Sequence, residues 1–318
     1  MRPSVPATDP AGAAGSATGS EAFRKLVDTP DGVLRRLQWT VIRRLDGRIQ
    51  GDYRTLLHGS GVDVADLREY ELGDDVRHID WNLTARMDSP YVRTYLEDRE
   101  LSAWLLLDRS ASMGFGPSNR PKELVLAEIA TTFARLLSKR GNLVGAILYN
   151  NSVEKTFTPR SGRNHVLRMT KALLSSSPST GSSTDLADLV LAANRTIKRR
   201  SLVILVSDFI SEPGWERPMS LLSQRHDVVA IRLYDPRETD LPDAGLIVVE
   251  DAETGELLSV DTSDPEFRKR FRAANQQREE QLVASAKRAR VDLHAISTED
   301  DLVAALVRLI ELRRRRRR

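Results

Sequence analysis

Apolar and polar residues follow one another from residue 102 onward in blocks that predict alternating strands and helices. Short apolar runs are typical of strands buried on both faces; they cover residues 103–107, 143–149 and 202–206. Residues 227–233 and 291–295 are interpreted as further strands. Apolar residues on one face predict a helix at residues 122–139. Residues 186–197, 265–288 and 300–312 are interpreted as further helices, and residues 219–224 as a short one. This alternation indicates an α/β fold with a doubly wound, mainly parallel sheet.

The first hundred residues follow other patterns. Residues 1–20 are rich in Pro, Ala, Gly, Ser and Thr, which predicts a disordered tail. Residues 21–50 include an amphipathic helix at 33–45, which either docks against the rest of the chain or lies on a membrane surface. In residues 51–100 aromatic and charged residues alternate densely, and we interpret them as a small β-rich module. This module is either held together by internal ion pairs or serves as a partner-binding surface.

The α/β domain is expected to span residues 101–312. Within it, the apolar segment at about 246–260 has Thr254 and Gly255 at its centre, which predicts a hairpin insertion. Residues 313–318 are six consecutive arginines and form a basic tail. We interpret this tail as a solvated terminus, with binding to nucleic acid, anionic lipid or an acidic partner as the alternative.

Composition narrows the classes of function. The 318 residues contain no cysteine, which excludes disulfides, thiolate metal sites and a cysteine nucleophile. The longest apolar runs are far below the ~18 residues that predict a membrane-spanning helix, and the first 20 residues do not resemble a signal peptide. We therefore expect a cytoplasmic protein with no membrane span. The formal net charge is +3, and because residues 313–318 contribute +6, the rest of the chain carries −3. Nucleic-acid binding is not expected from a chain whose residues other than the terminal arginines are net negative.

Candidate chemistry lies where the predicted strands end, because ligands of parallel sheets bind beyond the carboxyl ends of the strands. Asp108 ends the first strand and is followed by Ser110 and Ser112, while Asp208 follows the strand at 202–206. Thr184 precedes the helix at 186–197. Two carboxylates and three hydroxyls form an oxygen-only set that suits Mg²⁺ or Mn²⁺. Each residue also has an ordinary interpretation as a helix cap or a strand-end side chain.

The order Asp108-x-Ser110-x-Ser112, then Thr184, then Asp208 resembles the metal ion-dependent adhesion site of von Willebrand factor A domains. The resemblance implies a von Willebrand A-like, Rossmann-like domain. It also implies that the three hydroxyls approach the ion while the two aspartates hold it directly or through water. Such an ion keeps one exchangeable water, which an acidic residue of a partner protein can replace.

Residues 68–81 (REYELGDDVRHIDW) precede this domain and resemble the bacterial domain-of-unknown-function family fifty-eight. The similarity runs from about residue 34 to the C-terminus and includes Ser207-Asp208-Phe209 and the Asp235-Pro236-Arg237-Glu238 segment. This resemblance implies association with a MoxR-type AAA+ ATPase in chaperone-like maturation or assembly of other proteins. We therefore expect a non-enzymatic, metal-dependent interaction protein.

The enzyme alternative is a Mg²⁺-dependent phosphatase-like hydrolase that uses Asp108 as nucleophile and Asp208 as metal ligand. Such enzymes place a second aspartate two residues after the first, and here that residue is Ser110, so a general acid is missing. The sequence around the serines also lacks the Gly-x-Ser-x-Gly pattern of serine hydrolases.

Among the aromatic residues, Trp81 and Trp104 are expected to pack between the β-rich module and the sheet. Trp215 either borders the metal site or packs in the core.

Overall fold

The computed structural model describes residues 66–71, 74, 76, 79–87, 89–94, 102–117, 120–139, 141–175, 185–250 and 257–316. The predicted disordered tail, the helix at 33–45 and the candidate ligand Thr184 lie outside the described residues.

Ten strands are found in the described part of the chain. They are β1 Asp66–Glu69, β2 Tyr91–Thr94, β3 Ser102–Asp108, β4 Leu143–Asn150, β5 Ser152–Arg160, β6 Leu202–Ser207, β7 Asp227–Tyr234, β8 Leu246–Glu250, β9 Leu257–Asp261 and β10 Asp292–Ser297. The main sheet has six strands in the order β10-β7-β6-β3-β4-β5. All neighbours in it are parallel except β5, which runs antiparallel to β4. The predicted α/β class with a mainly parallel sheet is therefore confirmed.

Helices cover both faces of this sheet. They are α1 Trp81–Thr84, α2 Lys122–Ser138, α3 Arg163–Ser175, α4 Leu186–Thr196, α5 Glu216–Arg225, α6 Pro236–Thr239, α7 Pro265–Arg288 and α8 Leu302–Arg316. A 3₁₀ turn at Ala111–Gly114 follows β3. Local capping sets several helix starts: the Asp185 side chain accepts the Ala187 N–H before α4, and Asp264 does the same for Glu266 before α7.

The two faces of the sheet carry separate hydrophobic cores, which explains why the central strands are apolar throughout. Along β3, Leu105 and Leu107 pack into one core with side chains of α2, α3 and α8. Trp104 and Leu106 point the other way and pack with α4 and α5. Gly145 on β4 is required beside Trp104, because a Cβ there would lie 2.8 Å from the indole ring. The doubly wound arrangement follows from this alternation.

Two elements between residues 150 and 176 were not predicted. The edge strand β5 is mostly exposed and rich in polar residues, so it lacks the continuous apolar run of a buried strand. The helix α3 follows it and contributes Val166, Met169 and Leu173 to the core. The predicted hairpin is confirmed as the antiparallel pair β8 and β9.

The β-rich module is described in part, as the antiparallel pair of β1 and β2 with the short helix α1. The expectation that Trp81 packs against the sheet is wrong, since its side chain is 68% exposed.

The interpretation of the arginine run also needs correction, because α8 continues to Arg316 and Arg313 is buried. Arg313 Nη2 contacts both carboxylate oxygens of Asp227, at 2.9 and 2.8 Å, at the start of β7.

Candidate functional site

The carboxyl ends of the neighbouring strands β3 and β6 bring Asp108 and Asp208 to one edge of the sheet. The register pairs Leu107 with Val206, so the residues that follow them are neighbours. Ser207 Oγ donates a hydrogen bond of 2.6 Å to Asp108 Oδ2, which ties the two strand ends together. Both aspartates are buried. The predicted meeting of the two strand ends is therefore found in the structure.

The loop after β3 turns back on the Asp108 carboxylate. Its Oδ1 accepts the backbone N–H of Ser110 at 3.0 Å, and this contact fixes the first turn of the loop. The hydroxyl oxygens of Ser110 and Ser112 lie 3.1 Å apart in a hydrogen bond, and both residues are buried. Asp108, Ser110 and Ser112 thus form a compact cluster of oxygen atoms.

The loop after β6 is tightly constrained around Asp208. Asp208 Oδ1 accepts the backbone N–H of Ile210 at 3.0 Å. Phe209 adopts a left-handed conformation with φ of 59°, an uncommon backbone state for a non-glycine residue. Its ring contacts Trp215 edge to face, with centroids 5.5 Å apart. Trp215 is only 7% exposed, so it packs behind the loop in the second core.

The electrostatics of the site are dominated by two buried acids. Burial and the charge of Asp208 raise the pKa of Asp108 to about 6, although hydrogen bonds from Ser207 and Ser110 act in the opposite direction. The described donors to the Asp108 carboxylate, Ser207 Oγ and Ser110 N–H, are both uncharged. The pair therefore holds a concentration of negative charge that attracts a cation.

Sequence reasoning missed the cation that reaches this edge. Lys122, the first residue of α2, is fully buried and its Nζ lies 2.7 Å from Asp208 Oδ2. The same Nζ lies 2.6 Å from Glu238 Oε1. Burial lowers the pKa of Lys122, but Asp208 and Glu238 outweigh it and the pKa lies above its ordinary value. Lys122 is therefore an ammonium shared by two carboxylates.

Glu238 is held in place by a capping box at the start of α6. Its Oε2 accepts the backbone N–H of Asp235 at 3.0 Å, and the Asp235 carboxylate in turn accepts the Arg237 N–H. The spacing Asp235-x-x-Glu238 is a sequence signal for this box. It could have identified Glu238 as an ordered side chain, but nothing in the sequence joined it to Lys122.

Arg232 on β7 is a second cation in this region. Its guanidinium forms an ion pair with Glu279 of α7 and lies over the Tyr234 ring. Burial lowers the pKa of Arg232, although the charges of Glu238 and Asp208 act against that effect. Arg232 therefore contributes to the field at the site while its own contact is with Glu279.

Four of the five predicted ligands come together: Asp108, Ser110, Ser112 and Asp208 lie at one edge, and Thr184 lies outside the described residues. Within the described ranges, no three His, Cys, Asp or Glu side chains form a group that could hold a metal ion.

The described helices include none that is both long and apolar enough to cross a bilayer.

Among solved structures, the chain is similar to BatB from Bacteroides thetaiotaomicron, with a TM-score of 0.44, 14% identity, and coverage of 68% of this chain and 99% of BatB. It is also similar to the SpRpn10 VWA domain, with a TM-score of 0.37, 12% identity, and coverage of 66% and 94%.

Sequence comparisons identify relatives that share most of the chain. The uncharacterized protein Rv1480 of Mycobacterium tuberculosis is 36% identical over 284 residues, which cover 89% of this chain and 89% of that protein. The uncharacterized protein Mb1516 of Mycobacterium bovis matches with the same identity and coverage. The family described as "Protein of unknown function DUF58" matches residues 66–281. The chain therefore belongs to the DUF58 family.

Proposed function

We propose that this chain is a non-enzymatic protein-interaction module that binds its partner through a divalent-ion site at the carboxyl edge of the sheet. The observation that carries the proposal is the pair of buried aspartates at the ends of β3 and β6. A buried carboxylate whose described donors are uncharged is costly unless a cation compensates it. The raised pKa of Asp108, to about 6, expresses that cost.

The oxygen atoms at this edge suit Mg²⁺ or Mn²⁺. Asp108, Asp208, Ser110 and Ser112 offer hard oxygen donors, and Thr184 completes the proposed set. Each serine hydroxyl of the Ser110–Ser112 contact retains lone pairs that can face a cation. A bound ion supplies positive charge that an acidic residue of the partner can contact. The sequence resemblance supports the assignment of these five residues as the ligands.

The proposed partner is a MoxR-type AAA+ ATPase that contributes the acidic residue, with a role in chaperone-like maturation or assembly of other proteins. Family resemblance supports this choice of partner. The arginine run is a weaker candidate for the binding element, because Arg313 is buried against Asp227 and its guanidinium is engaged inside the fold.

The phosphatase alternative lacks its acid. The residue two positions after Asp108 is Ser110, and its Oγ contacts another hydroxyl, Ser112 Oγ. We expect the purified protein to hydrolyse neither phosphate esters nor nucleotides. Turnover that follows the protein through purification and disappears in Asp108→Asn would instead support the hydrolase.

Isothermal titration with Mg²⁺ and Mn²⁺ tests the ion site. The native chain is expected to bind one ion, and Asp108→Ala and Asp208→Ala are expected to abolish binding while circular dichroism shows an intact fold. Asp243→Asn is the matched control, because Asp243 is a largely exposed carboxylate paired with Arg268. Binding that persists in both alanine variants would overturn the ligand assignment.

A binding assay with the ATPase tests whether the ion connects the two proteins, which we call the metal bridge. Capture of the ATPase is expected in Mg²⁺ and is expected to be lost in EDTA and in Asp208→Ala. A chain that lacks residues 314–318, and so retains Arg313, is expected to bind normally. Loss of capture only on removal of those arginines would identify the basic terminus as the binding element and contradict the proposal.

A further inference from the structure

Lys122 places an internal cation on the proposed metal site. Its side chain is fully buried, and the Nζ is 2.7 Å from Asp208 Oδ2. Asp208 is at the same time a proposed ligand of the divalent ion. Since a divalent ion at Asp208 would share that carboxylate with the ammonium, the two like charges repel each other at short range. The buried surroundings make this repulsion stronger than it would be in water.

Glu238 provides the ammonium with a second carboxylate. The Nζ of Lys122 lies 2.6 Å from Glu238 Oε1, slightly closer than it lies to Asp208. Glu238 is fixed through its other oxygen by the backbone N–H of Asp235 at 3.0 Å. The ammonium therefore keeps a charged, ordered partner when the Asp208 carboxylate is engaged by another cation.

We propose that Lys122 is a built-in competitor that sets the affinity of the site, because its ammonium and the divalent ion compete for Asp208 while Glu238 retains the ammonium. This inference deepens the proposed metal site and rests on it. It makes Lys122 a positioning residue for Asp208 in the metal-free chain. It also makes Glu238 the residue that compensates the buried ammonium of Lys122 when the ion binds to Asp208.

Titration of the full chain with Mn²⁺ tests the competition. Lys122→Met keeps the length of the side chain and removes its charge. We expect the Mn²⁺ dissociation constant to fall by about tenfold or more, which corresponds to about 1.4 kcal/mol. Lys171→Met is the control, since Lys171 is an exposed lysine on α3. The Mn²⁺ affinity of this variant is expected to equal that of the native chain. Asp108→Asn added to Lys122→Met is expected to remove the gain.

Thermal unfolding provides a readout that does not depend on measuring affinity. In EDTA, Lys122→Met leaves Asp208 and Glu238 without their shared cation, so its melting temperature is expected to lie below that of the native chain. Saturating Mn²⁺ is expected to raise the melting temperature of Lys122→Met more than it raises that of the native chain. An equal increase in both proteins would contradict the competition.

Glu238→Gln is a second variant with the opposite expected sign. Glutamine keeps the shape of the side chain but offers the ammonium no charge, so Lys122 depends more on Asp208. We therefore expect Glu238→Gln to bind Mn²⁺ about three- to tenfold more weakly than the native chain. This variant keeps the inference testable if Lys122→Met fails to fold.

The outcomes separate this inference from the proposed function. Equal Mn²⁺ affinity in the native chain and Lys122→Met overturns the competition and leaves the proposed metal bridge intact. Binding by Lys122→Met but not by the native chain supports the competition and overturns the metal bridge in the native protein. No binding by either chain overturns both.

Discussion

Two buried cations, Arg313 and Lys122, lie at opposite edges of the same mainly parallel sheet, and they differ in the number of acidic residues around each. At the amino edge, Arg313 from α8 contacts both oxygens of Asp227 at the start of β7. At the carboxyl edge, Lys122 is shared by Asp208 and Glu238, and Asp108 beside them receives uncharged donors in the described contacts. The first arrangement pairs one guanidinium with one carboxylate, and the second holds several acids around one ammonium.

This difference separates a structural contact from a candidate site. A guanidinium nitrogen that contacts both oxygens of one carboxylate balances the charge of that carboxylate and ties α8 to β7. A cluster with more carboxylate than ammonium costs free energy in a buried position, as the raised pKa of Asp108 shows. Groups that are kept at such a cost are typical of binding sites. Neutralising one acid at each edge, Asp227 at the amino edge and Asp108 at the carboxyl edge, is therefore expected to change stability in opposite directions.

The largest expected effect is at the amino edge. Asp227→Asn removes the charge that compensates the buried guanidinium of Arg313, and we expect the free energy of unfolding to fall by about 3 kcal/mol. Urea denaturation at pH 7 measures this loss. Arg315→Met removes an exposed arginine from the same helix and is expected to change stability by less than about 0.5 kcal/mol. A loss below about 1 kcal/mol in Asp227→Asn would mean that the pair is not a structural contact.

The next effect has the opposite sign and lies at the carboxyl edge. In EDTA at pH 7, Asp108→Asn is expected to raise the free energy of unfolding by about 2 kcal/mol, because it removes a buried charge. The folded-state pKa of Asp108, about 6, exceeds the ordinary value of 3.8. Protonation of Asp108 therefore stabilises the native chain fully below pH 3.8, and this contribution is lost as the pH rises through about 6.

The pH dependence of the difference between the two proteins checks this sign. The stability advantage of Asp108→Asn over the native chain is expected to grow from about pH 4 to about pH 7 and then to level off. Denaturation of both proteins at several pH values in EDTA measures the difference, and groups that titrate equally in both cancel. A difference that stays constant over this range would contradict the raised pKa of Asp108.

A smaller effect is expected from the serine that joins the two strand ends. Ser207→Ala removes the hydrogen bond of 2.6 Å to Asp108 Oδ2 and is expected to cost about 1 to 2 kcal/mol. Ser263→Ala is a matched control, because Ser263 Oγ donates to Asp261 Oδ1 at the same distance in an exposed position. The control is expected to have a much smaller effect. Equal losses of unfolding free energy in the two variants would mean that burial at the carboxyl edge does not strengthen the Ser207–Asp108 hydrogen bond.

The smallest effect is expected for an ion pair away from both edge clusters. Arg272 and Asp240 approach to 2.6 Å, but both side chains are more than half exposed. Asp240→Asn is expected to change the free energy of unfolding by less than about 0.5 kcal/mol, and high salt is expected to reduce the change further. A change above 1 kcal/mol at low salt would show that burial is not what separates the strong pairs from the weak ones.

Local sequence patterns predicted much of the fold, and the exceptions have physical causes. The apolar runs that became β3, β4 and β6 are buried on both faces, so their composition alone identified them. The edge strand β5 is exposed along most of its length, so no such run marks it. The end of α8 was placed too early because six arginines resemble a solvated terminus, although Arg313 lies inside the fold.

For the site, the aspartates and serines could be named from sequence because each follows a recognisable strand, and the carboxyl ends of parallel strands meet at one edge. Lys122 could not be named in this way. Its partners Asp208 and Glu238 lie 86 and 116 residues further along the chain. Hydrophobic periodicity is a local property of the chain, whereas this ion bridge exists only because the first turn of α2 packs against the edge where β6 and β7 end. Packing of α2 at this edge buries the ammonium between Asp208, which follows β6, and Glu238 on α6. That packing depends on contacts among side chains that are distant in sequence.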